Sequence, residues 1–124
     1  MEKVFYKCKI CGNIVGLIED GGVKPSCCGK EMEQLKANTT DAALEKHVPA
    51  ISLDGDVLSV QVGDVLHPMT KEHYIQWIMV TQGNKTQRVE LTPEDEPKAV
   101  FNIKPGEGFV VYEYCNLHGL WEKR

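Results

Sequence analysis

From Ala50 onward, short apolar runs are separated by turn residues. "AISL" and "DVLSVQV" lie on either side of Asp54-Gly55, a strong hairpin signal. "HYIQWIMVTQ" and "KTQRVELT" flank Gly83-Asn84, and "KAVFNI" and "GFVVYEYC" are separated by Pro105-Gly106. The runs are rich in Val, Ile, Tyr and Phe, which suit a pleated, half-buried surface. Six or seven such strands, with no strong helical period, predict an all-β fold. The expected architecture over residues 50–124 is a two-sheet sandwich of immunoglobulin-like type. "AALEKHVP" supports at most one turn of helix, which Pro49 ends.

The first 36 residues follow a different pattern. They hold one apolar run, Ile14 to Ile18, punctuated afterwards by Gly21-Gly22 and Pro25. A segment this small cannot bury enough apolar area to fold unaided, so it needs a staple such as a metal. The polar stretch "KANTTD" then reads as a linker. The expected division is a metal-stapled domain over residues 1–36, a linker and ligand-bearing loop over 37–49, and the sandwich over 50–124.

Composition narrows the function. A chain of 124 residues suggests one domain, or one with a small satellite. A net charge of -4 argues against nucleic acid as a partner. The opening "MEKVFYKCKICG" is charged from position 2 and has no apolar core, so no signal peptide is expected. No window approaches the length of a membrane span. The expected location is the cytoplasm, where thiols stay reduced. Five cysteines in such a chain point to metal or catalysis before disulfides, and their odd number forbids complete pairing.

Four of the five lie in the first 28 residues. Cys8-x-x-Cys11 is a knuckle spacing, followed by Gly12, and Cys27-Cys28 supplies a second pair. Together they make a tetrahedral thiolate site for zinc or a single iron, and spacing alone does not choose between them. Adjacent side chains on an extended strand point to opposite faces. Cys27 and Cys28 therefore reach one ion only if the chain turns there, as the flanking Pro25 and Gly29 allow.

The fifth cysteine, Cys115, stands in "EYCNLHG", three positions before His118. The other histidines are His47 in "EKHVP", His67 in "LHPM" and His73 in "KEHYIQW". All four sit at strand ends or loops, where a rigid sandwich displays functional groups. Four imidazoles and one thiolate exceed the four ligands of structural zinc. They suit iron with a square plane of nitrogens, an axial sulfur and one open position. A Cys115–His118 nucleophile is the rival reading. It lacks a visible orienting partner or oxyanion-hole motif.

"CKICGN", "CCGKEM", "NTTDAALEKHVP", "HPMTKEHYIQWI" and "EYCNLHGLW" together resemble desulfoferrodoxin, the two-iron form of superoxide reductase. The likeness spans nearly the whole chain in the family's order. It implies that Cys8, Cys11, Cys27 and Cys28 hold a desulforedoxin-like Fe(Cys)4 centre, acting as an electron relay or a structural site. It implies a second iron with equatorial His47, His67, His73 and His118 and axial Cys115. The implied reaction is one-electron reduction of superoxide to hydrogen peroxide, with rubredoxin or a similar carrier as donor. The implied assembly is a homodimer.

Charge gives Lys46 a role. The mean field of a net-negative chain repels superoxide, so a local positive group must draw it in. Lys46, beside a ligand, is the candidate for steering the anion and assisting its protonation. The resemblance gives Glu45 the part of capping the iron at the open position after turnover. Two other readings explain less. An electron carrier accounts for the first four cysteines but leaves four histidines and Cys115 without a task. A zinc-ribbon binding protein accounts for neither the fifth ligand nor the Glu45-Lys46 pair.

Overall fold

The computed structural model describes residues 2–124, which divide into two compact units, residues 2–36 and residues 37–124. In the first unit, β1 (Phe5–Lys7) is the centre of a three-stranded antiparallel sheet between β2 (Ile14–Gly16) and β5 (Glu33–Gln34). A separate hairpin pairs β3 (Ser26–Cys27) with β4 (Lys30–Glu31). Phe5 is buried, and a buried cluster of Tyr6, Cys8 and Met32 has Val4, Leu17 and Cys27 packed against it. One of those core residues is itself a candidate ligand. So small a core leaves much of the stability to whatever the cysteines bind.

The second unit is a sandwich of two antiparallel sheets. One has the order β10 (Lys98–Asn102), β7 (Val57–Val62), β6 (Pro49–Asp54). The other has the order β12 (Gly119–Lys123), β11 (Val110–Cys115), β8 (Ile75–Gln82), β9 (Lys85–Glu90). Alternation sets which side of each strand faces inward. Leu58, Val60 and Val62 of β7 and Ala99 and Phe101 of β10 are buried, while their neighbours in sequence are not. They pack in one cluster with Ile75, Ile78 and Val80 of β8 and Val111 and Cys115 of β11. Each fully buried aliphatic there contributes about 1.5–3 kcal/mol. Cys115 thus lies at the end of a core strand, with its sulfur among apolar side chains.

Two hairpins follow the turn signals. Gln82 pairs with Lys85 across Gly83-Asn84, as expected. Asp54 pairs with Val57, so the two-residue loop is Gly55-Asp56, one position later than the Asp54-Gly55 signal suggests. Gly55 takes φ 62, which only glycine adopts without cost. Pro105-Gly106 joins strands of different sheets. The strand β12 is the seventh of the sandwich. Its five residues follow the Cys115–His118 loop closely, which masks it in the sequence.

The only helix among the described residues is α1 (Leu44–His47). It has no side-chain cap, and Val48 before Pro49 returns to extended backbone at ψ 125. A single turn is not stable alone. It is moored instead. The Val65 amide donates to the Glu45 carbonyl at 2.9 Å. Gly63 lies so close that a Cβ there would come within 2.6 Å of the same carbonyl oxygen. Upstream, Asn38 reaches β12: its side chain donates to the Glu122 carbonyl at 3.2 Å and accepts from the Glu122 amide at 2.9 Å. No helix of the described residues is long and apolar enough to cross a membrane.

Candidate metal centres

The first cluster lies within residues 2–36. The Cys8 carbonyl accepts from the Gly12 amide at 2.9 Å, closing the knuckle, and the Cys11 amide points at Cys8 Sγ at 3.5 Å. The second pair is delivered by the β3–β4 hairpin. Its two-residue loop is Cys28-Gly29, with φ 54 and 75. Both values are positive, as a type I′ turn requires. That turn swings Cys28 round so that both sulfurs serve one cluster.

All four sulfurs lie within 4.8 Å of one another. Cys11 and Cys27 Sγ are 3.6 Å apart, and Cys27 and Cys28 Sγ 3.9 Å. A tetrahedral site with metal–sulfur bonds of about 2.3 Å places its sulfurs about 3.8 Å apart. The backbone amide of Cys11 pulls the Cys8 thiol down to about 6. The neighbouring Cys11 thiol, followed by Cys8 and Cys27, pushes Cys28 up to about 12. Four thiolates at this spacing repel unless a cation sits among them, and a bound metal deprotonates them outright.

The second cluster belongs to the sandwich unit. His47 ends α1, His67 and His73 lie in the loop between β7 and β8, and Cys115 and His118 bracket the β11–β12 turn. One donor atom from each lies within 4.8 Å of the others. The rings form a square. His47–His67, His67–His73, His73–His118 and His118–His47 have centroids 4.7, 4.5, 5.0 and 4.8 Å apart, each pair edge-to-face. Across one diagonal, His47 and His73 are 6.4 Å apart and nearly parallel. Cys115 Sγ lies 3.4 Å from His67 Nε2 and 3.9 Å from His118 Nδ1.

The donor chemistry fits a metal. His47 Nδ1 donates to the Ala43 carbonyl at 2.8 Å and His67 Nδ1 to the Pro68 carbonyl at 2.7 Å. Those bonds fix the tautomer and leave both Nε2 atoms as lone-pair acceptors. Yet the two Nε2 atoms face each other at 3.2 Å. His47 Nε2 also meets His118 Nδ1 at 3.1 Å. Neighbouring nitrogens on a first-row metal lie about 3 Å apart. His73 Nε2 is buried with no hydrogen-bond partner at all. A cation at the centre satisfies every one of these atoms, and no rearrangement of protons does.

Burial lowers His47 and His73, and it takes His67 down to about 4. Burial thus favours the neutral form of these three imidazoles, the form that ligates. Burial also pushes the Cys115 thiol up, against the backbone amides of His118 and Leu117. Trp121 stacks on His47 at 5.0 Å and donates its Nε1 proton to the His118 carbonyl at 3.1 Å.

Glu45 and Lys46 are exposed on α1 beside His47. The Lys46 ammonium is near enough to add to the lowering of both His47 and His73. Glu113 has no counterpart among the sequence-derived candidates. Its carboxylate is fully buried two residues before Cys115, neither oxygen has a hydrogen-bond partner, and burial raises it well above the usual range. The alternation of "VVYEYC" puts Glu113 on the same strand face as Val111 and Cys115, a signal that was open to reading.

Comparison with known proteins covers both clusters. Residues 39–124 match the family described as Desulfoferrodoxin, and residues 2–35 match Desulfoferrodoxin, N-terminal domain. A desulfoferrodoxin of Syntrophotalea carbinolica is 50% identical over 116 residues, covering 94% of this chain and 91% of its own length. A superoxide reductase of Pyrococcus horikoshii is 41% identical over 96 residues, covering 63% of this chain and 84% of its own. The crystal structure of the superoxide reductase from Treponema pallidum superposes with a TM-score of 0.80 at 32% identity, over 100% of both chains.

Proposed function

The chain belongs to the desulfoferrodoxin family, and from that premise we propose that it is a superoxide reductase with two iron sites. The observation that carries this reading is the square of four imidazoles whose inward nitrogens, His73 Nε2 above all, have no partner but a metal. His47, His67, His73, His118 and Cys115 would hold one iron. Held by five protein residues, the ion would be able to take substrate as a further ligand. When bound, iron there supplies the one-electron reduction of superoxide to hydrogen peroxide, which consumes two protons.

The protein's own residues do the rest. The buried Cys115 thiolate donates electron density, as thiolate ligands do in haem proteins. The Ala43 and Pro68 carbonyls fix the His47 and His67 rings with Nε2 free to ligate. Lys46 draws the anion toward a site in an otherwise acidic chain and supplies or relays a proton. Glu45 covers the open position between turnovers.

Cys8, Cys11, Cys27 and Cys28 hold the second iron, as an electron relay or a structural staple. The functional division is a desulforedoxin-like domain over residues 1–36, a ligand-bearing loop over 37–49 and the sandwich over 50–124. Each turnover needs an external electron, for which rubredoxin or a similar small carrier is the proposed donor. The proposed assembly is a homodimer in the cytoplasm.

The test is His73→Ala in the iron-loaded chain. Superoxide consumption should fall to background while the red colour of the Fe(Cys)4 centre stays. Activity that survives the substitution would sink the reading and favour a plain electron carrier.

A further inference from the structure

His73 differs from the two fully buried imidazoles of the square, His47 and His67. His47 and His67 each rest Nδ1 on a backbone carbonyl. No hydrogen bond reaches the His73 ring among the described residues, and its buried Nε2 is unpartnered. Apart from edge-to-face packing on His67 and His118, its orientation comes from its backbone. Thr70 pairs with the amide and carbonyl of His73 at 3.2 and 2.9 Å, but that closes the loop only on itself.

Met69 anchors the start of this loop in the sandwich core, and the Asn116 side chain anchors the two residues flanking His73. Asn116 Nδ2 donates to the Glu72 carbonyl at 2.9 Å, and the Tyr74 amide donates to Asn116 Oδ1 at 2.9 Å. Glu72 and Tyr74 are the two neighbours of His73. The Asn116 amide also donates to the Tyr74 carbonyl at 3.2 Å. The β8–β11 ladder has a bulge after Tyr114 and ends at the Cys115–Ile75 pair. Asn116 continues the link past that end, and it directly follows the axial Cys115.

We propose that Asn116 is a positioning residue for the five-ligand site, a strut that sets His73 against Cys115 and so governs how tightly that site keeps its metal. A short amide is the side chain for the task. It offers a donor and an acceptor at once, and it reaches both flanks of His73. The inference rests on the metal-site reading above but not on superoxide turnover.

The test follows iron release from the iron-loaded, full-length chain to a chelator, with the two centres distinguished by their visible spectra. Asn116→Ala should speed loss from the five-ligand centre by roughly 10–100-fold and leave the Fe(Cys)4 centre unchanged. Asn116→Asp keeps the acceptor for the Tyr74 amide but sets a carboxylate oxygen against the Glu72 carbonyl, so it should also speed loss from the five-ligand centre. If Asn116 acts through His73, adding Asn116→Ala to His73→Ala should change release by less than about 2-fold. Equal acceleration in both backgrounds would overturn the inference, as would a folded Asn116→Ala chain that releases iron at the parent rate. Should Asn116→Ala fail to fold, Asn116→Asp is judged by the same two comparisons. A parent chain that takes up no iron at the five-ligand site would overturn the metal reading and this inference together.

Discussion

At the scale of single residues, some groups bear on the candidate ligands without being ligands. Lys46 is the clearest. Its charge is felt at His47 and His73, on opposite sides of the square. Lys46→Ile should slow superoxide capture by about 10-fold or more at low salt and flatten its ionic-strength dependence. Pulse radiolysis across a salt series measures both, and unchanged rates would refute the steering role. Gly63 acts by what it lacks. A Cβ there would press on the Glu45 and Val48 carbonyl oxygens at 2.6 and 2.9 Å, and both are backbone atoms that cannot swing aside. Gly63→Ala should cost about 1–3 kcal/mol in denaturant unfolding. It should also raise hydrogen exchange at the Val65 amide, which is bonded to Glu45. Normal stability with normal protection would show that α1 yields freely.

At the scale of elements, turns deliver the ligands. Cys27 and Cys28 serve one cluster because β3 and β4 meet in a two-residue turn with both residues at positive φ. Cysteine in that conformation already costs about 1–2 kcal/mol, and glycine beside it costs nothing extra. Gly29→Ala adds strain at φ 75 where the added Cβ has open space around it, so the effect is conformational alone. The expected result is faster metal loss from the four-cysteine site with the five-ligand site unaffected, read by chelator competition; equal retention would mean the turn relaxes without moving Cys28. The same logic places Cys115 and His118, since the β11–β12 turn carries one at each end. These turns were partly legible. The sequence shows Gly29 after the cysteine pair and the three-residue step from Cys115 to His118. The strand β12 was not legible, because five residues with glycine first and charges last carry little period-2 signal.

At the scale of the whole molecule, two compact units differ in what supports them. Residues 2–36 bury only Phe5, Tyr6, Cys8 and Met32, one of them a candidate ligand, whereas the sandwich core joins strands of both sheets. Metal removal should therefore act unequally. After chelation under reducing conditions, amides of residues 2–36 should lose chemical-shift dispersion, while β7, β8 and β11 keep slow exchange. Retained dispersion in residues 2–36 would show that the small unit folds without its metal.

The sequence by itself determined the all-β class, most of the strands and the type of residue in each cluster. Those features rest on local chemistry: alternation, turn residues and ligand spacing. It also separated the first four cysteines from the fifth, because a C-x-x-C knuckle and a second pair mark one centre within a short segment. Only the tertiary structure decided that His47, His67, His73 and His118 face each other as a square, since they come from α1, a long loop and a hairpin up to 71 residues apart. Only it could show the Asn116 strut and the close approach of Gly63. Those depend on which backbone atoms meet across the sandwich, and strand pairing between distant segments leaves no mark on the order of residues along the chain.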